Sequence, residues 1–138
     1  MAETISITGM GGETISEILS EADWAKSKVL ILQPTTRTEW LRKYLEQTGY
    51  SVMTESVVED ENRFYQTLVC KEGKQKYSHP IQYYIGENLK NSSCYERFLD
   101  WIQSLFETAL QQLARSSEDE EEKIRKFEQL LEGLKIYR

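Results

Sequence analysis

The chain contains few of the residues that build metal centres, disulfide frameworks and catalytic triads. Its 138 residues include one histidine, two cysteines and two prolines. Cys70 and Cys94 lie in different segments and are not spaced as metal ligands, and His79 stands alone before Pro80. The sequence therefore offers no metal site and no histidine-based triad. It predicts a surface loop position for His79 and reduced thiols in the cytoplasm.

The sequence also lacks a long apolar run and an excess of positive charge. No stretch approaches the roughly 20 apolar residues with which a helix crosses a bilayer. The net charge of -6 argues against a strongly basic protein that coats nucleic acid. Five negative charges fall in the run 118–122, however, and the remainder is close to neutral. The basic residues that this leaves for phosphates include Arg37, Arg42, Lys43, Lys71, Lys74 and Lys76.

What is present is the pattern of an α/β sheet. Strand-like segments, with alternating or continuous apolar residues, are 4–8, 29–32, 50–58 and 63–70. Helical periodicity appears between them in 13–22 and 38–46. The unbroken apolar run 29–32 is typical of a strand buried on both faces. The order β-α-β-α-β-β predicts a sheet that ends in an antiparallel hairpin.

The last third of the chain predicts two helices that pack as a coiled-coil hairpin. Its apolar residues recur at spacings of three and four, which is the pattern of a seven-residue seam. The predicted seam residues are Phe98, Ile102, Leu105, Ala109 and Leu113, then Ile124, Phe127, Leu131 and Leu134. Ser117 and Glu120 fit a capping box at the start of the second helix.

Two loops follow neighbouring predicted strands. The loop Gly9-Met10-Gly11-Gly12 follows the first strand and precedes a helix, whose N-terminus offers free N–H groups. Gln33-Pro34 ends the second strand. Because ligands bind at the carboxyl ends of parallel strands, we expect both loops to face one pocket, in which Gly11 and Gly12 leave room for a planar ligand. A tight turn without a ligand is the alternative interpretation, since the loop lacks the lysine of a phosphate-binding loop.

Several strings, taken in order, resemble one bacterial family. They are Ile7-Thr8-Gly9-Met10-Gly11-Gly12, Leu30-Ile31-Leu32-Gln33-Pro34, Trp40-Leu41-Arg42, Arg63-Phe64-Tyr65-Gln66-Thr67-Leu68-Val69 and Ile85-Gly86-Glu87-Asn88-Leu89. The family is the S-adenosylmethionine-dependent tRNA methyltransferases that modify N1 of adenine 22. The resemblance spans nearly the whole chain. One departure is Thr35, where the family usually has asparagine.

The resemblance implies a fold, a cofactor and a substrate. It places 4–8 and 29–32 at the fourth and fifth strands of a seven-stranded, Rossmann-like methyltransferase sheet. Residues 1–78 would then be the carboxyl-terminal half of that domain, and 79–138 a helical coiled-coil domain. S-adenosylmethionine and tRNA would bind the complete enzyme. The first three strands, which hold most of the methyl donor, would lie in a missing amino-terminal segment or a second chain, and the chain alone is expected to be inactive.

The resemblance also suggests binding residues. Those assigned to substrate or cofactor are Gly9, Met10, Gly11, Gly12, Gln33 and Pro34. Gln33 would hydrogen-bond the base and Pro34 would pack against it, after the base is extruded from the tRNA. No catalytic residue is assigned, because aligning a nucleophilic N1 with the methyl group suffices. Two other interpretations stay open: a non-catalytic interaction module built on the helical hairpin, and a small α/β domain that binds a small molecule.

Overall fold

The computed structural model describes residues 3–138, and its strands form one sheet. The strands are β1 (Thr4–Met10), β2 (Val29–Pro34), β3 (Tyr50–Asp60) and β4 (Arg63–Glu72). Their order across the sheet is β1-β2-β4-β3. β1 and β2 are parallel, whereas β4 runs antiparallel to both of its neighbours, β2 and β3. The predicted α/β sheet with a terminal hairpin is therefore confirmed.

Within residues 3–138 the chain forms five α-helices. They are α1 (Gly12–Ser20), α2 (Thr38–Thr48), α3 (Gln82–Ile85), α4 (Tyr95–Ala114) and α5 (Glu121–Leu134). Single 3-10 turns lie at Asp23–Ser27, Leu89–Asn91 and Lys135–Tyr137. None of the helices in this described part is long and apolar enough to cross a membrane.

The helices α1 and α2 cover one face of the sheet. Leu30 and Leu32 of β2 have no exposed surface and pack with Ile5 of β1 in the core beneath these helices. Val29 and Ile31 alternate with them, so they point to the opposite face, and they are only partly buried. The prediction that β2 is buried on both faces is therefore wrong for this chain, because α1 and α2 both pack on the face that carries Leu30 and Leu32.

A second core joins the helical part of the chain to the β-hairpin. Its buried residues include Val57 of β3, Phe98, Leu99, Ile102 and Phe106 of α4, and Leu130 and Leu134 of α5. Phe64 of β4 packs against this core and contacts the Phe98 ring at a centroid distance of 5.8 Å. α4 thus lies against both α5 and the hairpin. The domain boundary between residues 78 and 79 stays a prediction.

Burial corrects the predicted helical seam. Leu105 is 46% exposed, whereas Leu99 and Phe106 on either side of the predicted stripe are buried. On α5 the fully buried residue is Leu130, and its predicted neighbour Leu131 is only partly buried. The reason is that α4 packs on two elements at once, so its apolar face is wider and turned relative to a two-helix seam.

The start of α5 also differs from the prediction. The helix begins at Glu121, and Ser117 lies four residues earlier in an exposed turn. The carboxylate of Asp119 accepts a hydrogen bond from the Glu121 N–H at 3.2 Å. The capping box of Ser117 and Glu120 is therefore wrong, because the acidic run itself supplies the acceptor for the free N–H groups.

Leucines from the two sides of α4 give a direct test of this packing. Replacing Leu99 by alanine should lower the free energy of unfolding by about 2–5 kcal/mol, because the cavity left in the core cannot close fully. Replacing Leu105 by alanine should change it by less than about 0.5 kcal/mol, because that side chain is largely in water. Urea unfolding of both variants measures the difference. Equal losses would restore the predicted seam.

Candidate functional site

The structure brings the two predicted loops together. β1 and β2 run side by side, with Thr8 opposite Gln33 and Met10 opposite Pro34. Beyond the strands, the Thr35 N–H donates to the Met10 carbonyl at 2.9 Å and the Gly12 N–H donates to the Thr36 carbonyl at 2.7 Å. Residues 9–12 and 33–36 therefore form one joined edge at the carboxyl ends of two parallel strands, which we call the loop pair.

The three glycines of the loop pair serve different purposes. Gly9 has a φ of +76° and open space where a side chain would lie. A Cβ at Gly12 would lie 2.1 Å from the Arg37 carbonyl oxygen, and one at Gly11 would lie 2.9 Å from the Thr36 hydroxyl. The expected room beside Gly12 is therefore filled by the chain itself, because α1 packs directly on the loop that precedes α2. Free space lies only at Gly9.

This geometry predicts unequal costs for two neighbouring substitutions. Gly12→Ala should lower the free energy of unfolding by about 1–3 kcal/mol or more, since a backbone carbonyl must move to admit the methyl group. Gly11→Ala should cost less, because only the flexible Thr36 side chain has to turn away. Thermal or urea unfolding of the two variants tests the difference. A Gly12→Ala variant as stable as the original chain would contradict the close approach.

Gln33 and Pro34 point to opposite faces of the sheet. Pro34 is buried on the side of Leu30 and Leu32, so its ring faces the helices. Gln33 is partly buried on the opposite face, which α1 and α2 do not cover and which we call the open face, on the same side as its neighbour Thr8. Among residues 3–138, its side-chain amide makes no hydrogen bond. Of the two residues predicted to contact a base, only Gln33 therefore presents polar atoms free for a ligand.

A groove adjoins the loop pair and includes its residues Thr35 and Thr36. Its volume is about 740 Å³, and it lies between the segment 35–39, the tip of the β-hairpin and the helices α4 and α5. The aromatic residues that line it, and that define it here as the aromatic groove, are Phe64, Tyr65, Tyr84, Phe98, Trp101, Phe106 and Phe127. Its polar rim includes Thr35, Thr36, Thr38, Asn62 and Arg63. The sequence did not predict this groove, because its residues come from five separate segments.

Arg42, one of the cations expected to meet phosphates, is instead completely buried. Its guanidinium donates to Glu55 at 2.7 Å, to Gln66 at 2.6 Å and to the Tyr77 hydroxyl at 3.1 Å. Burial lowers the pKa of Arg42, but the charges of Glu55 and Tyr77 and their hydrogen bonds to Arg42 together more than offset this, so the pKa lies above its usual value. The prediction for Arg42 is therefore wrong. A local pattern could not show it, since its partners lie 13 to 35 residues away.

The same network positions part of the lining of the aromatic groove. The other oxygen of Glu55 accepts from the backbone N–H groups of Glu87 and Asn88, at 2.7 Å each. Gln66, which Arg42 holds, donates to the Tyr84 carbonyl at 2.7 Å. Because Gln66 and Tyr84 both line the groove, the buried ion pair positions two of its residues.

His79 has a structural role in the loop before α3. Its Nδ1 accepts a hydrogen bond from the Ile81 N–H at 3.1 Å. The ring packs closely on α5, because a Cβ added at Gly133 would lie only 2.3 Å from it. His79 is therefore partly buried against α5, rather than on the surface as predicted. Within residues 3–138 no group of three or more histidine, cysteine, aspartate or glutamate side chains could hold a metal ion.

The buried thiol of Cys70 predicts a loss of stability in alkali. Burial raises its pKa to about 12, although the charge of Arg42 acts in the opposite direction. An unfolded thiol has a pKa near 8.5, so the folded state holds its proton more tightly. Stability from this group is full below about pH 8.5 and is lost as the pH rises toward 12. In unfolding experiments between pH 8.5 and 10, Cys70→Ala should therefore flatten the decline, by up to about 1.4 kcal/mol per pH unit. An unchanged slope would contradict the burial.

Comparison with known proteins identifies a matching family. The TrmK family, tRNA (adenine(22)-N(1))-methyltransferase, matches residues 1–135. A tRNA (adenine(22)-N(1))-methyltransferase of Bacillus subtilis (strain 168) is 34% identical over 77 residues, which is 52% of this chain and 31% of that protein.

Solved structures show the same relationship. A Streptococcus pneumoniae protein, provisionally described as a tRNA (m1A22) methyltransferase, has 29% sequence identity and a TM-score of 0.80, over 97% of this chain and 60% of that one. A second structure of the Streptococcus pneumoniae protein, in complex with S-adenosyl-L-methionine, has 28% sequence identity and a TM-score of 0.78, over 97% of this chain and 59% of that one. This chain therefore spans about three fifths of the similar structures.

Proposed function

Because this chain belongs to the TrmK family of tRNA (adenine(22)-N(1))-methyltransferases and has their Rossmann-like fold, we propose that it forms part of an enzyme that methylates N1 of an adenine in tRNA. The observation that carries this proposal is the loop pair at the carboxyl ends of two parallel strands. Ligands of such sheets bind at this edge. The donor would be S-adenosylmethionine, which is bound in the similar Streptococcus pneumoniae structure.

The proposed chemistry asks the chain to position a base rather than to move a proton. When bound, S-adenosylmethionine supplies an electron-poor methyl group. N1 of neutral adenine carries its own lone pair, so no general base is needed, and alignment supplies most of the acceleration. Gln33 would hold the base through its free amide, and the backbone at Gly9 would leave room beside it. Pro34 would support Gln33 from the buried side and not touch the base.

We also propose that these 138 residues supply only one side of the donor site. The outer edge of β1 pairs with no strand of the part that the structure describes. On the open face, Thr4, Ser6 and Thr8 are exposed, and Val58 of β3 is 48% exposed. An open edge and an open face on a Rossmann-like sheet are places for further strands and helices. The part of the relatives that the match leaves out would fill them, from the same chain or a second one.

Under this proposal the two parts of the chain have different roles. Residues 1–78 would hold the reacting groups, and residues 79–138 would form a helical coiled-coil domain that contacts the tRNA backbone. The exposed cations Lys43, Lys71, Lys74 and Lys76 would assist that contact. Such a protein would act in the cytoplasm, where its tRNA is found.

Calorimetric titration with S-adenosylmethionine tests the shared donor site. The 138 residues alone should bind the donor weakly or not at all. Binding should become measurable once they are joined to the part of the Streptococcus pneumoniae relative that the match leaves out. Tight, stoichiometric binding by the 138 residues alone would overturn the proposal that the site is shared. Absence of binding by a folded joined protein would overturn the proposed function.

A further inference from the structure

The aromatic groove, with a volume of about 740 Å³, is larger than a site for a single base. It starts at Thr35, directly after Gln33 and Pro34, and extends away from the sheet to Ala109 and Phe127 on the helices. Thr35 and Thr36 belong to both the loop pair and the groove, so the two surfaces are continuous. A strand whose target base is extruded also exposes the neighbouring nucleotides.

The rings in the groove differ in how deeply they are buried. Phe98 and Phe106 are almost fully buried. Trp101 and Phe64 are only partly buried, with ring centroids 5.3 Å apart and planes inclined by 39°, and both rings contact Phe98, at centroid distances of 6.2 and 5.8 Å. Trp101 and Phe64 therefore keep accessible surface and are supported by the buried Phe98 ring. Accessible aromatic faces on a fixed support are what unstacked bases bind.

Polar groups around these rings match the rest of a nucleotide. Arg37 is already paired with Glu13 and Glu39, at 3.4 and 3.3 Å, so its charge is shared. Arg63, at the hairpin tip, has no ion-pair partner among residues 3–138 and lines the groove. The groove also contains the Tyr84 phenol, whose hydroxyl has no hydrogen-bond partner in that part of the chain. Burial raises the pKa of Tyr84 to about 12, so the hydroxyl stays a donor at neutral pH.

We propose that the aromatic groove binds an unstacked nucleotide next to the methylated adenine, with its base against Trp101 and Phe64 and its phosphate toward Arg63. This inference rests on the proposed function, because it takes RNA as the substrate. A purely apolar protein segment fits less well. Such a segment would cover the rim hydroxyls, the exposed Asn62 amide and the Arg63 charge and take them out of water without partners, at a cost in free energy. A nucleotide supplies a planar base for the rings and polar oxygens for the rim.

Trp101 can report on the groove directly, because the chain contains three tryptophans and the other two lie outside it. Trp24 and Trp40 are 57% and 48% exposed, so replacing both by phenylalanine leaves Trp101 as the single fluorescent reporter. The full chain with these two substitutions is titrated at low salt with a five-nucleotide adenine RNA. The control is the same oligonucleotide with abasic sites. The RNA should quench Trp101 in a saturable way, and the abasic strand should not. Equal quenching by both would overturn the proposal, because the backbone alone would then account for binding.

Substitutions in the otherwise unchanged chain provide a second measurement with labelled RNA. Trp101→Leu should weaken binding by about tenfold to a hundredfold, the range for losing one base-stacking contact. Trp24→Leu, outside the groove, should leave binding unchanged. Arg63→Gln should reduce the salt dependence of binding by about one phosphate contact. Native affinity in a folded Trp101→Leu variant would overturn the proposal. So would quenching of Trp101 by an apolar helical peptide but not by RNA.

Failure of the groove proposal can be distinguished from failure of the proposed function. The two binding measurements need neither a methyl donor nor methyl transfer, and the KM for methyl transfer by the joined protein provides a separate comparison. If the joined protein methylates tRNA and Trp101→Leu leaves its KM unchanged, the groove proposal fails and the proposed function stands. If no methylation occurs but Trp101 still binds the RNA base, the proposed function fails and the groove remains a nucleotide site.

Discussion

Replacing Arg42 by methionine is expected to lower the free energy of unfolding by about 3–5 kcal/mol, the usual cost of leaving one member of a buried ion pair without its partner. Glu55, whose side chain is 2% exposed, would keep a charge with no guanidinium beside it. The variant would also release Gln66 and Tyr77, which both bond to Arg42. Urea unfolding, with circular dichroism as the signal, measures the loss.

A second variant and a surface pair make this result specific. Adding Glu55→Leu to Arg42→Met should recover part of the stability, because an apolar pair leaves no buried charge. Arg125→Met should cost no more than about 1 kcal/mol, since its pair with Glu121 is exposed. If Arg42→Met and Arg125→Met have equal effects, the buried pair does not hold the hairpin to α2.

The largest expected effect on activity concerns Gln33. In the joined protein, Gln33→Ala should lower methyl transfer to tRNA by about tenfold to a thousandfold, the range for losing one well-placed polar contact at a reacting centre. The melting temperature should hardly change, because the Gln33 amide makes no hydrogen bond within residues 3–138. Single-turnover transfer of a labelled methyl group measures the rate.

Gln47 offers the matched control. It is an exposed glutamine on α2, away from the loop pair, so Gln47→Ala should leave the transfer rate unchanged. Equal rates for the original chain and Gln33→Ala would remove Gln33 from the site. The loop pair would then have only its structural role, which is to join α1 to the segment before α2.

The order of strands and helices followed from the sequence because it depends on local periodicity. Alternation in 4–8 and the apolar run 29–32 were enough to place β1 and β2, and the polar turn 59–62 was enough to place the hairpin. The loop pair followed as well, since the carboxyl ends of neighbouring parallel strands must meet at one edge. That the glycine loop and Gln33 lie together was therefore predictable, whereas their roles were not.

What the sequence could not provide were contacts between distant segments. Arg42 has the local setting of a surface cation, and only partners from β3, β4 and the following loop make its burial possible. Leu105 fits a two-helix seam, but α4 packs on the β-hairpin as well as on α5, and this leaves Leu105 exposed. Gly12 suggested space for a ligand, and the Arg37 backbone occupies that space. Each error came from an interaction that no short window of sequence contains.

The most direct test of the proposed function is the amount of 1-methyladenosine formed in tRNA by the joined protein with S-adenosylmethionine, measured by mass spectrometry of the digested nucleosides. We expect one methyl group per tRNA with the joined protein and none with the 138 residues alone. A joined protein that is folded and binds the donor, yet forms no 1-methyladenosine, would contradict this expectation. So would methylation by the 138 residues alone.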